Sequence, residues 1–173
     1  MILQILQHTP AWVFVLFAGL LALGYWQTRT RTLSPRRVLV VPFAMAAFSL
    51  YGVLSGLGAT AAVLAQWMVA LLVAVGLFLF AGTGRSATYM PATRTFIVPG
   101  SWLPMVAILV IFFLRYAVNV GLALDAALRD SALFIGAAAV AYGASSGFFA
   151  ARAIGILQKA RQPALARARA RSS

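Results

Sequence analysis

Five apolar runs, separated by polar connections, leave this chain few ways to fold: Pro10–Gln27, Val38–Leu57, Ala59–Ala81, Ser101–Leu124 and Ser131–Leu157. A hydrocarbon core about 30 Å thick is crossed by roughly 20 residues of helix rising 1.5 Å each. All five runs come near that length. The composition agrees, since 63% of the 173 residues are hydrophobic and only 9% are charged, whereas soluble domains carry about 25% charged residues. The sequence therefore predicts an all-α membrane protein, a five-transmembrane-helix bundle over residues 1–157 followed by a basic tail over residues 158–173.

The first run is short, and Trp12 and Trp26 near its ends suit interfacial anchoring. No basic stretch precedes it and no small-residue cleavage site follows, so it is expected to stay as a span rather than be removed as a signal peptide. The last run is longer than a crossing needs, and its final turns after Arg152 are expected to emerge into water.

Arginines set the expected orientation, because short loops rich in Lys and Arg stay cytoplasmic. The first loop holds Arg29, Arg31, Arg36 and Arg37; the third holds Arg85 and Arg94; the C-terminal end holds Arg152, Lys159, Arg161, Arg167, Arg169 and Arg171. Gly56–Thr60 has no charge, and in Asp125–Ser131 the single Arg129 lies between Asp125 and Asp130. Positive charge alternates with each crossing, which predicts the N-terminus outside and the C-terminus cytoplasmic. A formal charge of +12 in a soluble chain would suggest nucleic acid, but here the cations cluster at the ends of apolar runs. The expected partners are membrane lipids, with anionic headgroups at the basic cytoplasmic face and no nucleic acid.

Outside the spans, Met1–His8 reads as an interfacial amphipathic turn or a frayed end. The loop Gly82–Gly100 is the longest connection, and Thr93–Val98 within it is β-branched and aromatic enough for a hairpin or extended segment. The tail, with its Ala-Arg repeat, reads as solvated low-complexity chain.

Arg115 stands out because it falls mid-way along the fourth span. Arginine at the bilayer centre costs roughly 2.5–3.5 kcal/mol on insertion scales, so such residues face a bundle interior or a wet cavity. Thirteen residues from Trp102 carry it about 20 Å along the helix. Asn119 lies one turn further on the same face. Gln66, Tyr51, Ser49, Ser55 and Tyr142 fall at middle to outer depths on neighbouring spans, and the expected ligand-binding set is Arg115, Asn119, Gln66, Tyr51 and Tyr142. Three readings of Arg115 remain open: a side chain snorkelling to headgroups, the cationic anchor of an intramembrane site for an anionic group, or a structural ion pair with Asp125 or Asp130.

Two small-residue patterns, Gly52 with Gly56 and Gly143 with Gly147, have the four-residue spacing that lets helix backbones approach closely. Gly136 extends the second. They serve either packing within the bundle or a homodimer.

Little supports catalysis or a cofactor. The chain has no cysteine, one histidine and two acids, so it lacks paired carboxylates, a metalloprotease helix motif and a Ser-His-Asp set. His8, in His8-Thr9-Pro10, lacks companions for a metal site. Met45, Met68, Met90 and Met105 are scattered in depth and read as packing residues. No catalytic residue, metal or cofactor is expected.

Arg29–Arg37 followed by Val38-Leu39-Val40-Val41-Pro42, Arg94-Thr95-Phe96-Ile97 before the fourth span, and Phe113-Leu114-Arg115-Tyr116 within it resemble the CcdC-like group of small bacterial integral membrane proteins. His8-Thr9-Pro10-Ala11-Trp12 is closer to a set of five-span relatives. The similarity covers residues 8 to about 157. It implies a bacterial inner membrane and, through the association of the group's name, cytochrome c maturation; it brings no catalytic residues, and the absence of cysteine weighs against thiol transfer. The expected function is non-enzymatic: binding or conducting a small or amphipathic ligand at the intramembrane polar site. A structural or assembly subunit is the alternative, and a lipid-modifying enzyme comes third.

Overall fold

The computed structural model describes the backbone of residues 11–172 and the side chains of residues 13–160. Expectations for Met1–His8, for His8 itself and for the Trp12 side chain lie outside the described residues. In chain order the elements are α1 (Ala11–Gln27), β1 (Arg31–Leu33), α2 (Pro35–Gly52), α3 (Ala61–Phe80), β2 (Thr88–Met90), β3 (Thr95–Val98), α4 (Leu103–Leu124) and α5 (Ala132–Ser172). The chain is mostly helical, as expected. The helices α2 to α5 are each long and apolar enough to cross a membrane, and α1 is apolar but shorter.

Local chemistry explains where the helices begin and end. Proline occupies the first turn of α2 and of α4, where its missing N–H has no intrahelical partner to lose. Thr60 caps α3, its hydroxyl accepting from the Val63 N–H, and the Asp125 carboxylate caps the 3-10 turn Ala126–Arg129 through the Ala127 N–H at 2.9 Å. That cap gives one of the two acids a local role. The end of α2 widens into a π-helical turn, Val53–Leu57, a feature that helices carry as a single turn and frequently at functional sites.

The central helix is α5. In its span 44% of the residues are buried, against 22%, 17% and 22% for α2, α3 and α4. Along one face, Ala139, Gly143, Gly147, Ala151 and Gly155 recur every fourth residue, and this small-residue stripe seats α5 directly against α3. A Cβ on Gly143 would run into the Trp67 carbonyl, and one on Gly147 would come 2.6 Å from the Ala74 Cβ. This glycine pair is thus occupied within the bundle. The outward faces of α1 to α4 carry exposed Phe14, Phe43, Leu72, Phe80 and Phe113, as a surface solvated by lipid would.

Three apolar clusters stack along the bundle. One joins Val53, Leu57, Val63, Trp67, Val118 and Tyr142 at the end where α2 turns into α3. A middle cluster is built on Ile108, Ile111, Phe148 and Phe149, with Leu20 and Leu23 of α1 packed on it. The third joins Val38, Ala87, Phe96, Val98, Ala153 and Ile156 at the opposite end.

This last cluster underlies a three-stranded antiparallel sheet of order β1-β3-β2. The extended segment expected around Thr93–Val98 forms as the β2–β3 hairpin, with Thr88 opposite Ile97 and Met90 opposite Thr95. The third strand was not foreseen: Arg31, Thr32 and Leu33 of the first loop pair with Val98, Ile97 and Phe96. The sheet gathers the basic connections at one end of the bundle. Within the expected basic tail the backbone of residues 158–172 continues α5 to Ser172, and its Ala and Arg residues have high helix propensity.

Candidate functional site

Arg115 projects from α4 towards the end of α2. Its Nη1 donates to the Phe48 carbonyl at 2.8 Å, and the guanidinium carbon stands 4.2 Å from the centre of the Phe48 ring and 5.3 Å from that of Tyr51. Gly52 makes room for it, because a Cβ there would lie 3.3 Å from both Arg115 Nη1 and the Tyr142 ring. The cation is therefore held by a carbonyl dipole and two aromatic faces, contacts that stabilise the charge without neutralising it. The side chain is half-buried.

Of the five expected ligand-binding residues, Arg115, Tyr51 and Tyr142 come together around Gly52. Tyr51 is exposed and Tyr142 fully buried, so the cluster runs from the outer surface of the bundle to its core. Asn119 turns back along its own helix, its amide donating to the Arg115 carbonyl at 2.8 Å. Gln66 lies instead beside Gly136, its amide oxygen 3.3 Å from where a Cβ would be. The sequence placed it at a suitable depth but could not fix its direction around α3.

The glycines divide in the same way. Gly143 and Gly147 line the α3–α5 contact, Gly52 accommodates Arg115, and Gly56 has open space where a Cβ would stand. The Gly52–Gly56 pair thus forms no single smooth face, because the π turn between them changes the helical phase.

A second polar centre lies deeper, joining Ser49 and Tyr142, both placed near Arg115 by depth, to Trp67, which stands outside the expected residues. Trp67 Nε1 donates to Ser49 Oγ at 2.9 Å, and Ser49 Oγ donates to the Tyr142 carbonyl at 2.9 Å. All three groups are buried and paired, which ties α2, α3 and α5 together. The available signal was a Trp remote from both span ends, where an indole N–H needs a partner.

No group of three or more His, Cys, Asp or Glu side chains placed to hold a metal occurs among the described residues. Around Arg115 the arrangement offers one cation, aromatic faces and tyrosine hydroxyls, suited to holding an anionic group against an apolar wall.

The sequence model described as "Family of unknown function (DUF6622)" matches residues 1–167. No curated protein and no solved structure matches the chain.

Proposed function

The chain belongs to this family of unknown function, and from that premise we propose that it is a non-enzymatic, five-span protein of a bacterial inner membrane that binds the anionic group of a small or amphipathic ligand at Arg115. One observation carries the reading: a half-buried arginine within a helix long enough to span is held by the Phe48 carbonyl and two rings. No carboxylate cancels its charge in that contact set, so an anion entering beside Tyr51 meets an unneutralised cation. In this reading α1 is the fifth span, the sheet end is cytoplasmic under the positive-inside rule, and the N-terminus is outside. Kinship with the CcdC-like group, carried by the motif segments of the sequence, belongs to the same proposal.

The test is native mass spectrometry of gently extracted protein, comparing wild type with Arg115→Leu and Arg115→Lys. A stoichiometric anionic adduct lost in Arg115→Leu and weakened in Arg115→Lys is the expected result. An adduct that survives both substitutions, or its absence from folded wild type, removes the reading.

An assembly role is the second reading, and the open space at Gly56 beside exposed Tyr51 and Leu54 favours it. A homodimer would form through that face, so cysteine crosslinking in native membranes should trap dimers through position 56 and fail through position 147. A lipid-modifying enzyme stays third, since the ionisable groups beside Arg115 are tyrosines.

A further inference from the structure

At the sheet end a cleft opens between α1, β1, α2 and α5, lined by Gln27, Arg31, Arg37, Val38, Pro42 and Arg152 among others. Its volume is about 30 Å³, enough for two water-sized groups at roughly 10–15 Å³ each. Two oxygens of an oxyanion need the same room.

Strand pairing accounts for the unusual wall. Arg31 is the register partner of Val98, and Leu33 of Phe96; partners in an antiparallel pair share a face. Val98 and Phe96 are buried beneath the sheet, so Arg31 is carried to the same inward side. There it meets the field of Arg152 from α5, and burial pushes the Arg31 guanidinium down from the ordinary arginine value.

Gln27 supplies a second, independent observation. Its side chain is only 3% exposed; Oε1 accepts from Arg31 Nη2 at 3.2 Å, while the buried Nε2 has no partner. Buried amide donors are normally paired. The start of α2 adds to the positive field: Ser34 makes no side-chain cap, the first turn holds no acid, and Arg36 and Arg37 occupy it. Cations at a helix N-terminus oppose the helix dipole, whereas an anion is favoured there. Both acids of the chain, Asp125 and Asp130, lie beyond the other end of α4.

We infer that this cleft is a binding site for a phosphate-type oxyanion, held by Arg31, Arg37 and Arg152 with the Gln27 amide as a neutral donor. A bound oxyanion offsets the repulsion between the arginines that line the cleft, pairs the orphan amide and answers the α2 dipole in one step. The same chemistry comes from free phosphate or from the headgroup of an acidic phospholipid, for which the exposed apolar faces of Leu39, Val40 and Phe43 on α2 provide a lipid-side approach. The inference rests on the membrane-spanning reading of the bundle but not on ligand binding at Arg115.

The test uses the full-length protein, first in micelles with inorganic phosphate against chloride at equal ionic strength, then in nanodiscs of phosphatidylglycerol against phosphatidylcholine. Thermal unfolding and native mass spectrometry give the readouts. Phosphate should raise the wild-type melting temperature where chloride does not, or phosphatidylglycerol should be retained as a one-to-one adduct; the first marks free phosphate as the source and the second the headgroup. Arg152→Gln and Gln27→Leu should each weaken the effect roughly tenfold or more, the loss of a charge-assisted or buried hydrogen bond. Arg94→Gln, which removes an equal charge from the exposed hairpin, should bind as wild type. Gln27→Leu keeps the test open if Arg152→Gln fails to fold. Equal responses to phosphate and chloride with no lipid adduct, or equal losses in Arg94→Gln and Arg152→Gln, overturn the site.

Discussion

Trp67 of α3 hands its indole N–H to Ser49 of α2 at 2.9 Å, and the serine hydroxyl in turn closes on the Tyr142 carbonyl of α5. One hydroxyl thereby joins three helices at a depth where water is not available to replace it. Ser49→Ala should lower stability by about 1–2 kcal/mol, the scale of an interhelical hydrogen bond in a bilayer. Trp67→Phe keeps the bond from Ser49 to Tyr142 and should leave no orphan donor. The double variant should cost less than the sum, since the two residues share one interaction. Detergent-titrated unfolding measures all three, and strict additivity would mean that the bond contributes nothing.

Gly143→Ala and Gly147→Ala should each destabilise the bundle strongly, because the added methyl meets the backbone or a Cβ of α3. Gly76→Ala is the matched control. It has open space around it and should be neutral or stabilising by up to roughly 1 kcal/mol through helix propensity. Equal effects at the three positions would remove the close α3–α5 contact.

Gly52→Ala places a methyl 3.3 Å from Arg115 Nη1. The guanidinium and the Tyr142 ring must give by a few tenths of an ångström, so anion binding at Arg115 should fall while helicity measured by circular dichroism stays as in wild type. Undiminished binding would mean that the observed pose of Arg115 is not the binding one.

Because the chain has no cysteine, single-cysteine variants report directly on orientation. Ser34→Cys should be labelled only after the cytoplasmic face is opened, and Asp130→Cys in intact cells. Labelling of both from the same side would end the proposed topology.

Strand pairing makes Thr32 the partner of Ile97. A Thr32→Cys, Ile97→Cys double variant should crosslink under mild oxidation, whereas Thr32→Cys with Pro91→Cys should not. Failure of the first pair would place the first loop away from the hairpin.

The candidate site was legible in the sequence only in part. Arg115 announces itself as a charge inside an apolar run, and Asn119 follows by helical spacing. Their partners do not: Phe48 offers a backbone carbonyl, which every residue has, and nothing in its side chain marks it as a cation acceptor. Gln66 shows the opposite failure, because depth along a helix can be counted whereas direction around it depends on which neighbour it packs against. Gln27 and Arg31 read as ordinary boundary residues, and only pairing with Val98 turns Arg31 inward.

Length and hydropathy determined the helical elements and their approximate limits, since a run of about 20 apolar residues satisfies its backbone only as a helix in lipid, and the positions of the arginines marked the basic connections. The tertiary structure alone decided that α5 is central, that a strand from the first loop completes a sheet with a distant hairpin, and that Arg31, Arg152 and Gln27 share a cleft. Those features arise from contacts between residues far apart in sequence, where small side chains allow close approach and strand register selects a face. Neither condition can be read from one segment without its partner.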